Sequence, residues 1–152
     1  MTKSASQTIV RPGQRIGFLI YRAGVLVARA YEARMRPLGF APAEIGLMTY
    51  LASHGTDHVR AVARSIGVSP QTVVNLTRGL EQRGFVARAP SPSDQRTVLL
   101  TLTVEGRAAL EEADTAAQAF DAEVAAVLGP VGAQAVGDGL RTLLSAPPWD
   151  AE

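Results

Sequence analysis

Four side chains between Gln71 and Arg78 have the types and spacing to read the edges of base pairs. Gln71, Thr72, Asn75 and Arg78 fall within about two helical turns and meet no carboxylate until Glu81. Glutamine and asparagine can each take adenine bidentately and arginine can take guanine, each pair giving ~1–3 kcal/mol of discrimination. For that chemistry they must share the outer side of a helix, and the flanking residues are those of one. Ser69 is a good N-cap, and Pro70 sits at N1, where a missing N–H costs nothing. Val73, Leu76 and Leu80 recur at steps of three and four as one buried stripe, with the polar set off it. Arg83 in the last turn suits the helix dipole, and Gly84 is placed as the C′ glycine. A plainer use exists for two of the four: Thr72 can settle the first turn, and Arg78 can pair with Glu81 at i+3.

The elements that would hold this helix follow from the neighbouring sequence. Downstream, Phe85–Arg88 reads as a short strand, Pro90–Asp94 as a loop and Thr97–Thr103 as a second strand, with Val98, Leu100 and Leu102 alternating onto one face. Upstream, a short helix from about Arg60 to Ile66 turns Val62, Ala63 and Ile66 inward, and Gly67 makes the turn into Val68-Ser69-Pro70, a helix-turn-helix arrangement. Ahead of it, Ala41-Pro42-Ala43-Glu44 opens a helix with Ile45, Met48, Leu51 and Ala52 as its buried stripe. Alanine cannot cap, so this start should be weaker by ~1 kcal/mol. Ser53–His58 is expected to be loop.

With these pieces in order, the chain resembles the MarR family of bacterial winged-helix transcription regulators. The resemblance rests on Leu80-Glu81-Gln82-Arg83-Gly84-Phe85-Val86-Ala87-Arg88, then Pro90, Asp94-Gln95-Arg96 and Leu102-Thr103-Val104-Glu105-Gly106, with no insertion in the wing. It is strong from about Leu38 to Gly106. It implies a fold that is mainly α with a small β-wing: a winged helix-turn-helix domain plus N- and C-terminal dimerisation helices. The expected division is 1–36 for an N-terminal arm and dimerisation helix, 38–103 for the DNA-binding lobe, 104–145 for C-terminal dimerisation helices and 146–152 for a polar tail. The DNA-binding set is then Ser69, Gln71, Thr72, Asn75, Arg78, Arg88, Asp94 and Arg96. Arg96 would enter a narrow minor groove, Asp94 would orient it, and Arg60, Arg64 and Arg88 are candidates for phosphate contacts. Relatives often carry a basic residue at Asn75 and near Gly79; both are neutral here.

Charge distribution agrees with a lobe that faces DNA. The net charge of +1 divides into +4 over residues 1–59, +4 over 60–96 and −7 over 97–152. With no cysteine, disulfides, thiolate zinc sites and the thiol-based oxidant sensing of some relatives are excluded. Enzyme motifs are missing: there is no Gly-x-Ser-x-Gly, no His-Glu-x-x-His and no phosphate-cradling glycine loop, so no enzyme and no cofactor are expected. His54, Asp57 and His58 are the one metal-like grouping, read as exposed loop residues and not as a site.

The flanks supply helices. Met1–Gly13 reads as a mobile arm. From Ile16, the residues Leu19, Ile20, Ala23, Leu26, Val27, Ala30 and Tyr31 keep helical spacing; Arg22 in their midst argues against a signal peptide, and no run reaches the ~18 apolar residues of a membrane span. The expected location is the cytoplasm. After the wing, Leu110, Ala113, Ala117, Phe120, Val124 and Val127 form a seam on a long helix to about Leu128. Gly129-Pro130 breaks it before a last helix marked by Val136, Leu140, Leu143 and Leu144.

These terminal helices have more apolar face than one domain needs, which points to a homodimer on double-stranded, palindromic DNA. The resemblance implies a repressor released by a small aromatic or phenolic effector bound between dimer helices and lobe, where Tyr21, Arg22, Met48 and Tyr50 lie on helices that could line a crevice. A second reading belongs to another class: a winged-helix dimer serving as a protein-interaction module. The neutral Asn75 and Gly79 favour it and the Arg96 wing opposes it.

Overall fold

The computed structural model describes residues 11–94 and 96–145. The first ten residues of the expected arm, Gln95 and the expected tail 146–152 lie outside them. Within them, a 3-10 turn Pro12–Gln14 leads into α1 (Ile16–Met35), so the expected arm ends in a turn before Gly13 has passed. Another 3-10 turn, Arg36–Leu38, joins α1 to α2 (Pro42–His54). There follow β1 (Asp57–His58), α3 (Val59–Ile66), α4 (Pro70–Gln82), β2 (Val86–Pro90), β3 (Val98–Leu102) and α5 (Val104–Ser145). The fold is mainly helical with one small antiparallel sheet in the order β1-β3-β2.

Local chemistry sets these boundaries. The Ser69 hydroxyl accepts the Thr72 N–H at 3.1 Å and caps α4. At the other end Gly84 has φ of 75°, while the Phe85 N–H reaches the Leu80 carbonyl at 2.8 Å and the Gly84 N–H the Glu81 carbonyl at 3.0 Å. Those two bonds are a Schellman closure, which an L-residue with a Cβ would strain. Ala41 has no side-chain oxygen to cap α2, yet the Glu44 carboxylate accepts the Ala41 N–H at 2.9 Å, supplying one half of a capping box. Gly129, with φ of 69° and ψ of 163°, breaks α5 ahead of Pro130 into two arms, 104–128 and 130–145.

Three expectations about the strands and the first helices need correction. Asp57-His58 is not free loop: it pairs with Leu100 and Leu99 of β3, a contact between segments some forty residues apart that no local pattern announces. Pro90 ends β2 opposite Val98 and so belongs to the hairpin, at an edge where its missing N–H is tolerated. On α2, Leu47 is fully buried while Ala52 is only half-buried, because α2 lies in the middle of the lobe and is covered on more than one side.

The core gathers Met35, Phe40, Leu47, Met48, Leu51, Val62, Val73, Leu80, Val86, Leu100 and Ala113 into one cluster. Burying a side chain of this kind contributes ~1.5–3 kcal/mol. Thr77, absent from the expected stripe of α4, is 1% exposed, and its hydroxyl has no hydrogen-bond partner among the described residues. Leu76 and Ile66 pack from the half-buried margin.

The terminal helices differ. Tyr31 packs its ring 5.7 Å from Phe120, Arg34 stacks 4.7 Å over Phe120, and Arg34 pairs with Glu123, joining the end of α1 to the first arm of α5. Beyond that junction the expected α1 stripe is uncovered: Ile16, Leu19, Ile20, Leu26 and Val27 are all exposed. The α5 seam is buried at Ala113 and Phe120 but ends with Val127 at 88% exposure, and Val136, Leu140 and Leu144 are exposed on the second arm. No described helix is long and apolar enough to cross a membrane.

Candidate nucleic-acid interface

Because Val73, Thr77 and Leu80 hold α4 against the core, its other side faces outward, and the expected set stands there. Gln71, Asn75 and Arg78 are exposed and Thr72 is half-buried. The Gln71 amide donates to the Asn75 side-chain oxygen at 3.3 Å, so the two amides hold each other one turn apart. Thr72 is tied to the cap, its hydroxyl 2.8 Å from that of Ser69. Arg78 does not pair with Glu81: it has no ion-pair partner among the described residues, and Glu81 instead lies 3.5 Å from Arg88. Arg88 is thereby drawn toward α4, on the strand behind the helix.

At the wing, Asp94 orients the tip through the main chain and not through the Arg96 guanidinium. Its carboxylate accepts the Arg96 N–H at 3.0 Å and the Thr97 hydroxyl at 2.7 Å. The Thr97 hydroxyl first, then the Arg96 N–H, hold the Asp94 carboxyl below the usual carboxylate range. The Ser91 N–H closes the base of the loop on the Thr97 carbonyl at 2.8 Å. The Arg96 side chain is left exposed, with no ion-pair partner among the described residues.

Between the wing, α3 and the start of α4 runs an open groove of about 720 Å³. Arg60 and Arg64 of α3 and Arg96 of the wing line it, with Pro70 and Val74 on its floor. None of the three arginines is ion-paired among the described residues. Sequence reasoning missed that His58 lines the groove with them, because it placed His58 in a loop and not on a strand paired with β3. Unpaired cations spaced along a trough suit a polyanionic strand.

Arg83, by contrast, is structural. Its guanidinium stacks 4.4 Å over Phe40 and 4.7 Å over Phe85, and it sits 3.5 Å from the Glu44 carboxylate. The residue pins the end of α4 to the start of α2.

The grouping His54, Asp57 and His58 is drawn apart. The Tyr50 hydroxyl donates to Asp57 at 2.6 Å, and the His58 N–H donates to the other Asp57 oxygen at 2.7 Å. His54 stacks on Tyr50, with ring centroids 4.3 Å apart. Among the described residues no group of three such side chains converges as a metal would require. Tyr50 and His54 also line a crevice of about 390 Å³ that reaches from Tyr31 of α1 across α2 to Ser65 and Ile66 of α3. Of the four residues set beside such a crevice, Tyr50 lines it, Met48 is buried in the core, and Tyr21 and Arg22 are exposed on α1 away from it.

Known proteins share this arrangement. The family model described as MarR family matches residues 38–97. An HTH-type transcriptional repressor of Mycobacterium tuberculosis is 34% identical over 113 residues, covering 74% of this chain and 81% of its own length. The HTH-type transcriptional repressor MdtR of Bacillus subtilis is 33% identical over 78 residues, 51% of this chain and 50% of that one. Among solved structures, the transcriptional repressor CouR bound to a 23-mer DNA duplex superposes with a TM-score of 0.82 at 25% identity, covering 91% of this chain and 99% of that one. CouR from Rhodococcus jostii RHA1 bound to p-coumaroyl-CoA gives 0.78 at 26% identity, with 93% and 99% covered.

Proposed function

The chain belongs to the MarR family of DNA-binding transcriptional regulators, and from that premise we propose that it acts as a two-fold dimeric repressor whose recognition helix and wing read a palindromic operator. The observation that carries this reading is the grouping of exposed hydrogen-bonding and cationic groups on one side of the lobe: Gln71, Asn75 and Arg78 on α4, and Arg60, Arg64 and Arg96 around the groove. In this reading α4 enters the major groove, where the amides take adenine and Arg78 takes guanine. Arg96 enters the adjacent minor groove, and Arg60, Arg64 and Arg88 meet phosphates. Ser69 and Asp94 act mainly by positioning, one as the cap of α4 and the other as the clasp of the wing.

The dimer forms through the uncovered faces of α1 and of the second α5 arm, and the net −7 over residues 97–152 keeps that end away from phosphates. The crevice beside Tyr31, Tyr50 and Ser65 takes a small aromatic or phenolic effector. An effector that prefers a lobe spacing unsuited to successive major grooves weakens DNA binding by that same preference. CouR, solved with both a duplex and an aromatic CoA ester, supports such an exchange, and relatives named repressors favour a regulator over a protein-interaction module. The protein works in the cytoplasm, without a cofactor and without catalysis.

The test is a titration at two salt concentrations against the DNA upstream of its own gene and a scrambled control. Tight, salt-dependent preference for the upstream fragment is expected. Arg96→Ala should weaken binding to both DNAs and lower the salt slope by about 1, whereas Asn75→Ala should change the preferred sequence. Wild-type affinity and preference in both variants would refute this docking.

A further inference from the structure

The groove that holds the three arginines also holds one of the chain's two histidines, His58. We propose that His58 is a phosphate-binding residue of this groove, and that protonation of its imidazole tightens duplex DNA binding as pH falls. The proposal rests on the regulator reading above and adds to it a sensitivity to pH.

Position comes first. His58 ends β1, pairs with Leu99 of β3, and is exposed where it lines the same groove as Arg60, Arg64 and Arg96. The arginines stay charged at every relevant pH and therefore give affinity without pH dependence. An imidazole ordinarily changes charge between about pH 5 and 8, so a phosphate beside it binds the protonated form better.

The other charged and titratable groups around His58 do not cancel this. On its own strand Asp57 is engaged by the Tyr50 hydroxyl and the His58 N–H, and those bonds hold its carboxyl low, so it is ionised throughout the range. From the wing, Asp94 is occupied by the Arg96 N–H and the Thr97 hydroxyl. From α4 the groove receives only Pro70 and Val74, which are uncharged. From α2 come Tyr50 and His54, the latter stacked on Tyr50 with its Nδ1 3.1 Å from the Tyr50 carbonyl and lining the crevice, not the groove.

The composition makes the idea sharp. The chain has two histidines and no cysteine, so besides the α-amino group only these two side chains belong to the types that ordinarily change charge between about pH 5 and 8, and substituting each in turn separates them. Linkage fixes the sign: if DNA favours the protonated imidazole, binding takes up protons and the affinity rises as pH falls.

The experiment measures anisotropy of a labelled mixed-sequence duplex of about two helical turns with the full chain, at about pH 6 and 7.5 over a series of salt concentrations. The wild type should bind on the order of five-fold tighter per lobe at the lower pH, with a salt slope steeper by up to ~0.9 per lobe. His58→Gln should lose that affinity ratio, His54→Gln should keep it, and His58→Arg should be pH-independent with a salt slope like that of the wild type at low pH. A ratio that survives in His58→Gln, vanishes in His54→Gln, or is missing from a wild type that binds DNA well overturns the proposal alone. No duplex binding at any pH or salt overturns the regulator reading beneath it.

Discussion

The lobe from Phe40 to Leu102 and the helices on either side of it deal with their apolar side chains in opposite ways. In the lobe, Leu47, Met48, Val62, Val73, Leu80 and Leu100 are each at 0% exposure, and what faces outward is amide, hydroxyl and guanidinium. On α1 and the second arm of α5, Ile16 and Leu144 stand 76% and 82% exposed, and apolar side chains recur along both faces between. A stripe that is amphipathic in sequence yet uncovered in a single chain is one whose partner lies outside that chain. On the reading proposed above, the lobe reads DNA and the flanks are covered by a second copy of the chain.

The strongest way to break that contrast is to put charge on the uncovered faces. Leu26→Glu combined with Leu140→Glu should halve the mass seen by light scattering at micromolar concentration, since two carboxylates on each chain would have to be desolvated at the interface. The cooperative unfolding of the lobe should persist. An unchanged mass would mean that these faces do not pair; a monomeric wild type would remove the dimer altogether.

Gly106 sharpens the contrast from the other side, because it marks where lobe and flank are welded. A Cβ built there would lie 2.1 Å from the Phe85 carbonyl oxygen and 2.8 Å from a Leu102 methyl. Nearby, the Thr103 hydroxyl donates to the Gly84 carbonyl at 2.6 Å and accepts the Gly106 N–H at 2.9 Å, so the Schellman turn and the start of α5 share one network. In an ordinary helix Gly→Ala gains ~1 kcal/mol. Here Gly106→Ala should cost about 3 kcal/mol, lowering Tm in thermal melts, because the obstacle is backbone and cannot rotate away. A raised Tm would show that α5 can slide on the lobe.

Much of the lobe was legible because its signals are local. Ser69-Pro70 and Gly84 mark the ends of α4 through caps that involve residues three to five positions away, and the hairpin shows itself by alternation. What escaped depends on distant partners. β1 exists only because Leu99 and Leu100 pair with it, and Arg83 finds its role only when Phe40 and Phe85 arrive on either side. Thr77 reads as polar and is buried. On the flanks, the excess of apolar face was readable from α1 and the terminal helices, but not which of those residues, such as Ala113 and Phe120, the chain covers by itself.

The smallest effect belongs to the link between crevice and sheet, Tyr50 to Asp57. The hydroxyl donates to the carboxylate at 2.6 Å, which raises the Tyr50 phenol above its usual range and holds the Asp57 carboxyl below its own. The signs fix two pH windows. Asp57 is depressed in the folded state, so its contribution is present above the unfolded value of about 3.9 and fades as pH falls through the lower folded one. Tyr50 is raised, so its contribution is present below about pH 10 and fades as pH rises through the higher folded one. Tyr50→Phe should therefore lower Tm by about 2 °C or less at neutral pH, the hydrogen bond being partly exposed to solvent. The gap to wild type should start to narrow below about pH 4 and again above about pH 10, and close once the pH passes the shifted folded value at either end. A gap that stayed constant across that range would mean the hydroxyl acts by packing and not by its hydrogen bond. In that case Tyr50 would not tie the crevice to the strand that ends in His58.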